Sequence, residues 1–307
     1  MCGIFTVFGL QSPDAFRLRA TQLAKKIRHR GPDWSGIIAT KTSVICHERL
    51  AIVGINSGAQ PLTNEDESVI LTVNGEIYNH IALRKMLKKN HSFKTNSDCE
   101  VLLYLWEEMG VAMMPLIDGM FSFVLHDLNK DVYVACRDHV GITTLYQGWR
   151  SSDSTIWFAS EMKSLNEDCD KIIAFPPGSY YLSTTKETIK YYSPEWYSDS
   201  KNKLPSIVDE NVKLGKIEYQ NVLSSIRTSL ENSVKKRLMS DVPYGVLLSG
   251  GLDSSLIASI SVRARRDNAT ADDDDMKCIN QINTSCHVIR KFLAKVAFVF
   301  NRPARVA

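Results

Sequence analysis

The sequence predicts an α+β sandwich over about the first 190 residues, followed by the beginning of an α/β domain with a parallel sheet. In the first region, strand-like segments outnumber helical ones and do not alternate with helices as βαβ units do. After residue 215, a long amphipathic helix precedes a short apolar strand, a glycine-containing loop and another helix, an order typical of an α/β domain. A chain of 307 residues has room for about two such domains.

The first region begins with apolar and β-branched residues at 4–10, which predict a buried strand. Ser12 and Pro13 suit the N-cap and the first helical position, so we expect a helix that extends toward residue 28. Similar apolar segments predict further strands at residues 35–40, 44–53, 69–73, 120–127, 132–137, 155–159 and 179–182. Two helices are expected at residues 81–88 and 99–109, the second of them stopped by Gly110.

The composition changes after the predicted sandwich, which we place at residues 1–192. Serine, asparagine, aspartate, lysine and proline predict a linker at residues 193–219. Residues 220–266 are expected to begin the α/β domain, with a strand at 244–248 and a helix at 254–266. Apolar positions at helical spacing predict the helix before that strand, namely Leu223, Ile226, Leu230, Val234 and Leu238.

Residues 267–307 do not continue this pattern. They include a four-residue acidic run at 272–275, followed by polar residues without periodicity, so we expect an aberrant and poorly ordered tail. An apolar stripe at residues 288–300 could lie on a membrane or a partner protein. An apolar segment that arose by chance is the favoured interpretation, because nothing upstream anticipates a membrane role.

The composition argues against several classes of protein. Apolar segments fall short of the ~18 residues of a membrane-spanning helix, so we expect no membrane partner. The net charge is only +3 and its basic excess lies in the tail, so we expect no nucleic-acid partner. Seven scattered cysteines without a CxxC pair predict a reducing, cytoplasmic location rather than disulfides or structural zinc. The amino terminus lacks the basic residues of a signal peptide, which favours a strand.

Cys2 directly follows Met1, a position that can make its thiol catalytic. We expect Met1 to be removed, because the side chain after it is small. The freed α-amine would have a pKa of about 7.7–8.0 and could accept the proton of the thiol on the same residue. The resulting thiolate is the nucleophilic form of cysteine. The alternative is a small residue that merely begins a strand.

A series of motifs follows this cysteine over about 190 residues and resembles the class II glutamine amidotransferases, which use an amino-terminal nucleophile. The resemblance implies the αββα sandwich of N-terminal-nucleophile hydrolases for residues 1–192, and glutamine as a substrate. The motifs are Met1-Cys2-Gly3-Ile4, Arg30-Gly31-Pro32-Asp33, His47-Glu48-Arg49-Leu50, Asn74-Gly75-Glu76, Thr95-Asn96-Ser97-Asp98, Asp118-Gly119-Met120-Phe121, Arg137-Asp138, Phe158-Ala159-Ser160-Glu161 and Pro176-Pro177-Gly178.

The chemistry of glutamine suggests a role for each matching residue. Attack by Cys2 on the amide builds negative charge on oxygen, which the Asn74 side chain and the Gly75 backbone N–H can stabilise. The planar guanidinium of Arg49 suits the α-carboxylate, and the carboxylate of Asp98 suits the α-ammonium. The resemblance adds three residues to the glutamine-binding set, namely Leu50, Val53 and Glu76.

Each of these residues has a structural alternative. Arg49 could be a surface charge on a strand, and Asp98 could cap the helix that follows it. Asn74-Gly75 is also the preferred dipeptide of a type I′ hairpin turn. Residues 30–33 are interpreted as structural, with a Gly-Pro bend and a carboxylate at Asp33 that satisfies nearby backbone groups.

A second signature occupies residues 249–255, between a predicted strand and a predicted helix. Backbone N–H groups at such a turn form an anion site together with the helix N-terminus. The Ser-Gly-Gly sequence resembles the pyrophosphate-binding loop of ATP pyrophosphatases, which implies ATP and Mg²⁺, with Asp253 as a ligand of the metal. The residues expected at ATP are Leu248, Ser249, Gly250, Gly251, Asp253 and Ser254.

The two signatures together resemble glutamine-hydrolysing asparagine synthetases, in which ammonia from glutamine amidates ATP-activated aspartate. The resemblance implies glutamine, aspartate and ATP as small-molecule partners and allows a homodimer. We expect it to stop near Ile260, so that the glutaminase half is retained and the synthetase half is doubtful. One alternative is an inactive truncated isoform that acts by binding a full-length partner. Another is a related amidotransferase that uses a different carboxylate.

Overall fold

The computed structural model describes residues 1–194, 216–268 and 299–300. The chain divides into two compact units, Met1–Asn202 and Lys203–Ala307. In the first unit the helices are α1 (Pro13–Lys25), α2 (His80–Met86) and α3 (Val101–Met109). Its strands are β1 (Gly3–Phe8), β2 (Trp34–Ala39), β3 (Ser43–Arg49), β4 (Leu62–Thr63), β5 (Val69–Ile77), β6 (Gly119–Asp127), β7 (Val132–Arg137), β8 (Tyr146–Arg150), β9 (Thr155–Ala159), β10 (Lys171–Ala174), β11 (Ser179–Leu182) and β12 (Glu187–Lys190).

The strands of the first unit form two six-stranded sheets. The order in the first sheet is β10-β8-β9-β1-β3-β2, and in the second sheet it is β12-β11-β7-β6-β5-β4. The strand pairs in both sheets are antiparallel. One apolar cluster contains side chains from both sheets and therefore lies between them. Two more clusters join the first sheet to α1 and the second sheet to α2 and α3.

These contacts define four layers in the order helix, sheet, sheet, helix, as the αββα expectation requires. All six residues of β1 are buried, which accounts for its largely apolar sequence, with Thr6 as the exception. Phe5 and Val7 pack with α1, whereas Ile4 and Phe8 pack against the second sheet. A strand covered on both faces buries both sets of alternating side chains.

Several predicted boundaries are wrong. The strand expected at residues 44–53 ends at Arg49, because the chain after it forms a loop around that side chain. Four strands were missed: β4, β8, β10 and β12. β4 is two residues long, and β10 and β12 are largely exposed edge strands, so they carry little apolar alternation. Ser12 is the N-cap of α1, but its side chain makes no capping hydrogen bond.

The second unit is described in part. It contains α4 (Lys216–Arg237), β13 (Gly245–Val246), α5 (Leu252–Asn268) and β14 (Val299–Phe300). The predicted helix, strand and helix are therefore present, but β13 pairs antiparallel with β14 rather than in the expected parallel sheet. The apolar stripe at 288–298 and most of the predicted linker lie outside the described residues. Among the helices that the structure describes, none is long and apolar enough to cross a membrane.

Asp138 stabilises the loop after β7, and its removal should cost about 3–5 kcal/mol of unfolding free energy. Its buried Oδ1 accepts the backbone N–H groups of Val140, Gly141 and Ile142. Its Oδ2 accepts the backbone N–H and the hydroxyl of Thr143. Urea denaturation of Asp138→Ala measures this loss. The exposed Glu187→Ala is the control, with an expected change within about 0.5 kcal/mol.

Candidate active site

The thiol of Cys2 lies at the start of β1, where three contacts fix its position. The backbone N–H of Leu50 donates to Sγ at 3.3 Å, and the thiol lies 3.6 Å from the Leu50 carbonyl oxygen. Arg30 Nε donates to the Cys2 carbonyl oxygen at 2.8 Å, and Arg30 also pairs with Glu161 at 3.0 Å. Arg30 and Glu161 belong to motifs found in the sequence, but their role in holding Cys2 required the structure.

A cavity of about 30 Å³ opens beside Cys2. It brings together seven of the predicted glutamine-site residues, namely Cys2, Arg49, Leu50, Val53, Gly75, Glu76 and Asp98. The sequence did not identify the other lining residues, which are Met1, Ile52, Gly58, Gln60, Ser97 and Cys99. Ser97 and Cys99 are the sequence neighbours of Asp98, and this position beside a predicted site residue is the signal that could have identified them. Gln60 lies in a loop outside the motifs, so nothing in the sequence indicated that it lines the cavity.

Arg49 is buried, so the surface-charge alternative is wrong. Its guanidinium donates to the carbonyl oxygens of Val53, Gly54 and Ile55, at 3.3, 2.8 and 3.1 Å. These bonds fold the loop after β3 around the side chain. Burial lowers the pKa of Arg49, but arginine starts so far above neutral pH that the cation persists. The cavity therefore contains a fixed positive charge.

Asn74 and Gly75 lie inside β5, so the hairpin-turn alternative is also wrong. Gly75 has a φ of +143°, and a Cβ there would lie 1.9 Å from the Met120 carbonyl oxygen. Only glycine fits this close approach between β5 and β6. Asn74 does not line the cavity. Its side chain is fully buried, and neither amide atom has a hydrogen-bond partner within the described protein.

Asp98 is a buried carboxylate at the cavity, and its position is fixed by a hydrogen bond from β5. The backbone N–H of Ile77 donates to Oδ2 of Asp98 at 2.6 Å. The Ser97 side chain accepts the Cys99 N–H at the start of the short 3-10 turn, so the cap is Ser97 rather than Asp98. Burial raises the pKa of Asp98. The pKa of the neighbouring Glu76 is raised to about 7, mainly by burial and further by the negative charge of Asp98. The negative charge of Asp98 therefore disfavours ionisation of Glu76 near neutral pH.

Replacing Glu76 by glutamine should stabilise the protein at pH 8 by about 2–3 kcal/mol and leave it unchanged at pH 4. The pKa of Glu76 rises from its ordinary value of 4.5 to about 7 on folding. The unfolding free energy of the native chain therefore falls as the pH rises from about 4.5 to about 7. The glutamine variant carries no such charge. Urea denaturation from pH 4 to pH 8 measures the difference, with exposed Glu187→Gln as the control. A benefit that shrinks with rising pH would contradict the assignment.

Burial also acts on the thiol and on the amino terminus. It raises the pKa of the Cys2 thiol, and the hydrogen bond from Leu50 only partly opposes this. Burial lowers the pKa of the α-amine of Met1 below its usual value of 8.0. The thiol is therefore protonated at rest near neutral pH, and nucleophilic attack requires a neighbouring base.

The second signature has the expected strand-loop-helix order, with Gly250 at a φ of +85°. The hydroxyls of Ser249 and Ser254 lie 2.9 Å apart, and Ser254 and Ser255 also donate to the Gly251 carbonyl oxygen. Asp253 is exposed in the first turn of α5, and Leu248 is 49% exposed at the loop entrance. The described residues contain no group of three histidine, cysteine, aspartate or glutamate side chains that could hold a metal.

A larger cavity of about 520 Å³ lies elsewhere on the first unit. Its lining includes Asn64, His91, Glu107 and Asp127, but among the described residues around it none is a cysteine. It is larger than the cavity beside Cys2, yet the described residues that line it include neither a thiol nor a residue of the predicted glutamine site. We therefore place the candidate active site at Cys2.

Fold and site together define a class: an αββα N-terminal-nucleophile hydrolase with its thiol at the start of a central strand. The chain belongs to the glutamine amidotransferase domain family, whose model matches residues 1–189. A second family model, described as asparagine synthase, matches residues 225–285. This second match continues beyond Ile260, where the resemblance was expected to stop.

The curated relatives confirm the resemblance to glutamine-hydrolysing asparagine synthetases. The chain is 53% identical over 283 residues to a probable asparagine synthetase of Schizosaccharomyces pombe, covering 91% of this chain and 48% of that protein. It is 48% identical over 266 residues to one from Dictyostelium discoideum, covering 86% and 46%. It is 48% identical over 264 residues to asparagine synthetase 1 of Arabidopsis thaliana, covering 86% and 42%. The chain thus spans about half the length of these relatives.

Solved structures support the fold of the first unit. The allosteric regulatory enzyme of purine biosynthesis matches with a TM-score of 0.53 and 18% identity, covering 63% of this chain and 50% of that chain. Glutamine phosphoribosylpyrophosphate amidotransferase from B. subtilis matches with a TM-score of 0.50, the same identity and the same coverage. At this level of identity the likeness concerns the fold alone.

Proposed function

We propose that the first unit hydrolyses glutamine to glutamate and ammonia, with Cys2 as the nucleophile once Met1 has been removed. The observation that carries this proposal is the cavity in which the Cys2 thiol, the Arg49 cation and the Asp98 carboxylate meet. Met1 also lines that cavity, so its removal would enlarge the space available to a substrate. It would also place the free α-amine on Cys2 itself, next to a thiol that requires a base.

Glutamine offers two charged groups for binding, and the cavity has a partner for each. Three N–H groups of Arg49 are used by loop carbonyls, which leaves two of its five for the α-carboxylate. Asp98 and Glu76 can accept the α-ammonium, whose positive charge would lower the pKa of both carboxyl groups. Leu50 and Val53 line the same space beside the loop that Arg49 organises. Bound glutamine would therefore offset the electrostatic effect of Asp98 on Glu76.

The reaction then proceeds in two steps. The α-amine takes the thiol proton, and Sγ of Cys2 forms a bond to the amide carbon. Negative charge develops on the amide oxygen, where the Gly75 backbone N–H can stabilise it. Asn74 does not line the cavity while Met1 is present, so its side chain would reach that oxygen only after Met1 is removed and glutamine binds. The carbon–nitrogen bond breaks, and the leaving nitrogen receives the proton and departs as ammonia. Water attacks the thioester, which releases glutamate and restores the thiol.

Glutamate release from glutamine by the full chain tests this proposal. Mass spectrometry of the amino terminus should show that Met1 is absent from the active protein. Asparagine is the control substrate, because its amide is one methylene closer to the charged groups. We expect no turnover of asparagine if Arg49 and Asp98 hold those groups at the position that suits glutamine. A chain that lacks Met1 and releases no glutamate would overturn the proposal and favour the non-enzymatic, partner-binding alternative.

We further propose that the second unit belongs to the ATP-binding part of an asparagine synthetase, as the names of the relatives suggest. Ser249, Gly250, Gly251 and Ser254 would donate to phosphate oxygens, beside Leu248. Exposed Asp253 fits Mg²⁺, which is commonly held by one or two carboxylates together with phosphate oxygens. Bound Mg²⁺ would neutralise phosphate charge. A cytoplasmic location and a homodimer stay predictions.

This chain should not release pyrophosphate from ATP in the presence of aspartate. Adenylation requires a positioned aspartate and a set of charges around the transferring group. The described residues of the second unit supply the phosphate loop and Asp253, but no cluster that would hold the metal without ATP. A coupled pyrophosphate assay with aspartate, MgATP and either glutamine or ammonia measures this outcome. Aspartate-dependent release above the enzyme-free blank would contradict the prediction.

A further inference from the structure

Five of the polar side chains that lie between the two sheets are Thr6, His47, Gln147, Thr72 and Asn74. Thr6, His47 and Gln147 come from the first sheet, and Thr72 and Asn74 come from the second. All five are 0% exposed. The proposed reaction uses Asn74, but it gives no reason for the burial of the other four.

Strand alternation places the members of the first sheet on its inner face. Thr6 lies between Ile4 and Phe8 on β1, and His47 follows Ile45 by two positions on β3. Ile4, Phe8 and Ile45 belong to the cluster between the sheets. Side chains two positions apart on a strand share a face, so Thr6 and His47 point into the same space.

The same rule applies to the other three side chains. Gln147 pairs in register with Phe158, which belongs to the cluster between the sheets. Thr72 and Asn74 follow Ile70 of that cluster at successive two-residue steps along β5. His47 Nδ1 lies 2.8 Å from the Thr72 hydroxyl, which confirms that the two sets of side chains face each other across the gap.

Six polar atoms in this group have no hydrogen-bond partner among the described protein atoms. They are Thr6 Oγ1, His47 Nε2 and both amide atoms of Asn74 and of Gln147. Buried polar atoms in native proteins nearly always have a partner, either protein or ordered water. Six orphans on the facing sides of two sheets therefore indicate that something small and polar binds between the sheets.

We propose that these side chains bind ordered water between the sheets, and that His47 is a positioning residue that orients the Asn74 amide through this water. This inference rests on the proposed function for its catalytic part. Thr72 binds one nitrogen of the imidazole, which leaves Nε2 without a partner in the described protein. Asn74 follows Thr72 by two positions, or about 7 Å along the strand. The structure shows no direct hydrogen bond between the free Nε2 and the Asn74 amide, and in this proposal a bridging water connects them.

An amide side chain can present either its oxygen or its nitrogen in one direction, and its surroundings decide which. Stabilisation of the developing oxyanion requires the Asn74 nitrogen to face the substrate. Water held by His47 can donate to Oδ1 of Asn74 and so fix that orientation. Burial lowers the pKa of His47 to about 3, so the ring is neutral and offers one donor nitrogen and one acceptor nitrogen.

A pair of isosteric substitutions in the full chain tests for the water. Thr72→Val removes a hydroxyl that has a protein partner, and its melting temperature should fall. Thr6→Val removes a hydroxyl without one. If water binds Thr6, the melting temperature of Thr6→Val should fall as well. A rise would mean that the hydroxyl is dry and unsatisfied, and would overturn the hydrated site.

A second pair tests the positioning role in the glutaminase assay. His47→Asn keeps a polar atom near Nδ1 but none at the position of Nε2, whereas His47→Gln places an amide at the position of Nε2. We expect His47→Asn to lower kcat about tenfold with little change in KM, because an oxyanion donor acts on the transition state. His47→Gln should retain kcat within about threefold. Equal losses in both variants would overturn the positioning role.

The Asn74→Ala background separates positioning from general damage. If His47 acts through Asn74, His47→Asn should cause no further loss of kcat once the amide is gone. An undiminished tenfold loss in that background would overturn the proposal. If the parent chain releases no glutamate, the proposed function fails and the positioning role fails with it. The melting temperatures of the two valine variants then still decide whether water binds between the sheets.

Discussion

Replacement of Cys2 by alanine is expected to abolish glutamate release, with a loss of at least about 10⁴-fold in kcat. No other described residue supplies a thiol at the position that Leu50 and Arg30 fix. Cys99 lines the same cavity, but its thiol lies against the Gly75 carbonyl oxygen at 3.6 Å. Burial and nearby carboxylates raise the pKa of Cys99 well above its usual value, so it is a poor substitute.

Cys169→Ala is the matched control, because this half-buried cysteine lies outside the cavity and should leave kcat unchanged. A second version of the experiment leaves extra residues in front of Cys2. Without a free α-amine on the nucleophile, the thiol has no adjacent base, and turnover should fall to the level of Cys2→Ala. Full activity with a blocked amino terminus would contradict the assignment of an amino-terminal nucleophile.

Replacement of Gly75 by alanine is expected to disrupt β5 and remove activity together with stability. The added Cβ would lie 1.9 Å from the Met120 carbonyl oxygen and 2.7 Å from Phe121 Cα, both of them backbone atoms. Neither can move without breaking the pairing of β5 with β6. We expect a loss of more than about 4 kcal/mol in unfolding free energy, which lies in the exceptional range for one substitution.

Gly110→Ala separates steric conflict from backbone conformation. Gly110 also has a positive φ, of +57°, but a Cβ there would have no atom within 4 Å. Its alanine variant should lose only about 1–3 kcal/mol, the cost of a positive-φ conformation that residues with a Cβ rarely adopt. Thermal and urea unfolding of the two variants measure the contrast. Equal losses would show that the approach of Met120 to Gly75 does not matter.

Local sequence signals predicted much of the fold and the membership of the site. The apolar strands at the centre of each sheet are visible in the sequence because burial on both faces requires continuous apolar residues. The edge strands β10 and β12 were not predicted, because their side chains are largely exposed and carry no apolar pattern. Each becomes a strand only by pairing with its neighbour in the sheet. The motifs identified Cys2, Arg49, Gly75 and Asp98, since their chemistry matches one substrate.

From its own segments the sequence determined an α+β sandwich, because residue type and local order carry that signal. Through the resemblance of its motifs it also predicted the αββα class, Cys2 as the nucleophile, charged partners for glutamine and a phosphate loop. The tertiary structure decided between the alternative roles that the sequence left open for individual residues. It buried Arg49, placed Asn74-Gly75 inside a strand rather than a turn, and moved the helix cap from Asp98 to Ser97. It also revealed the polar group around His47, which comes from strands of both sheets. Contacts between residues distant in sequence depend on how the two sheets pack against each other, and no local sequence pattern encodes that packing.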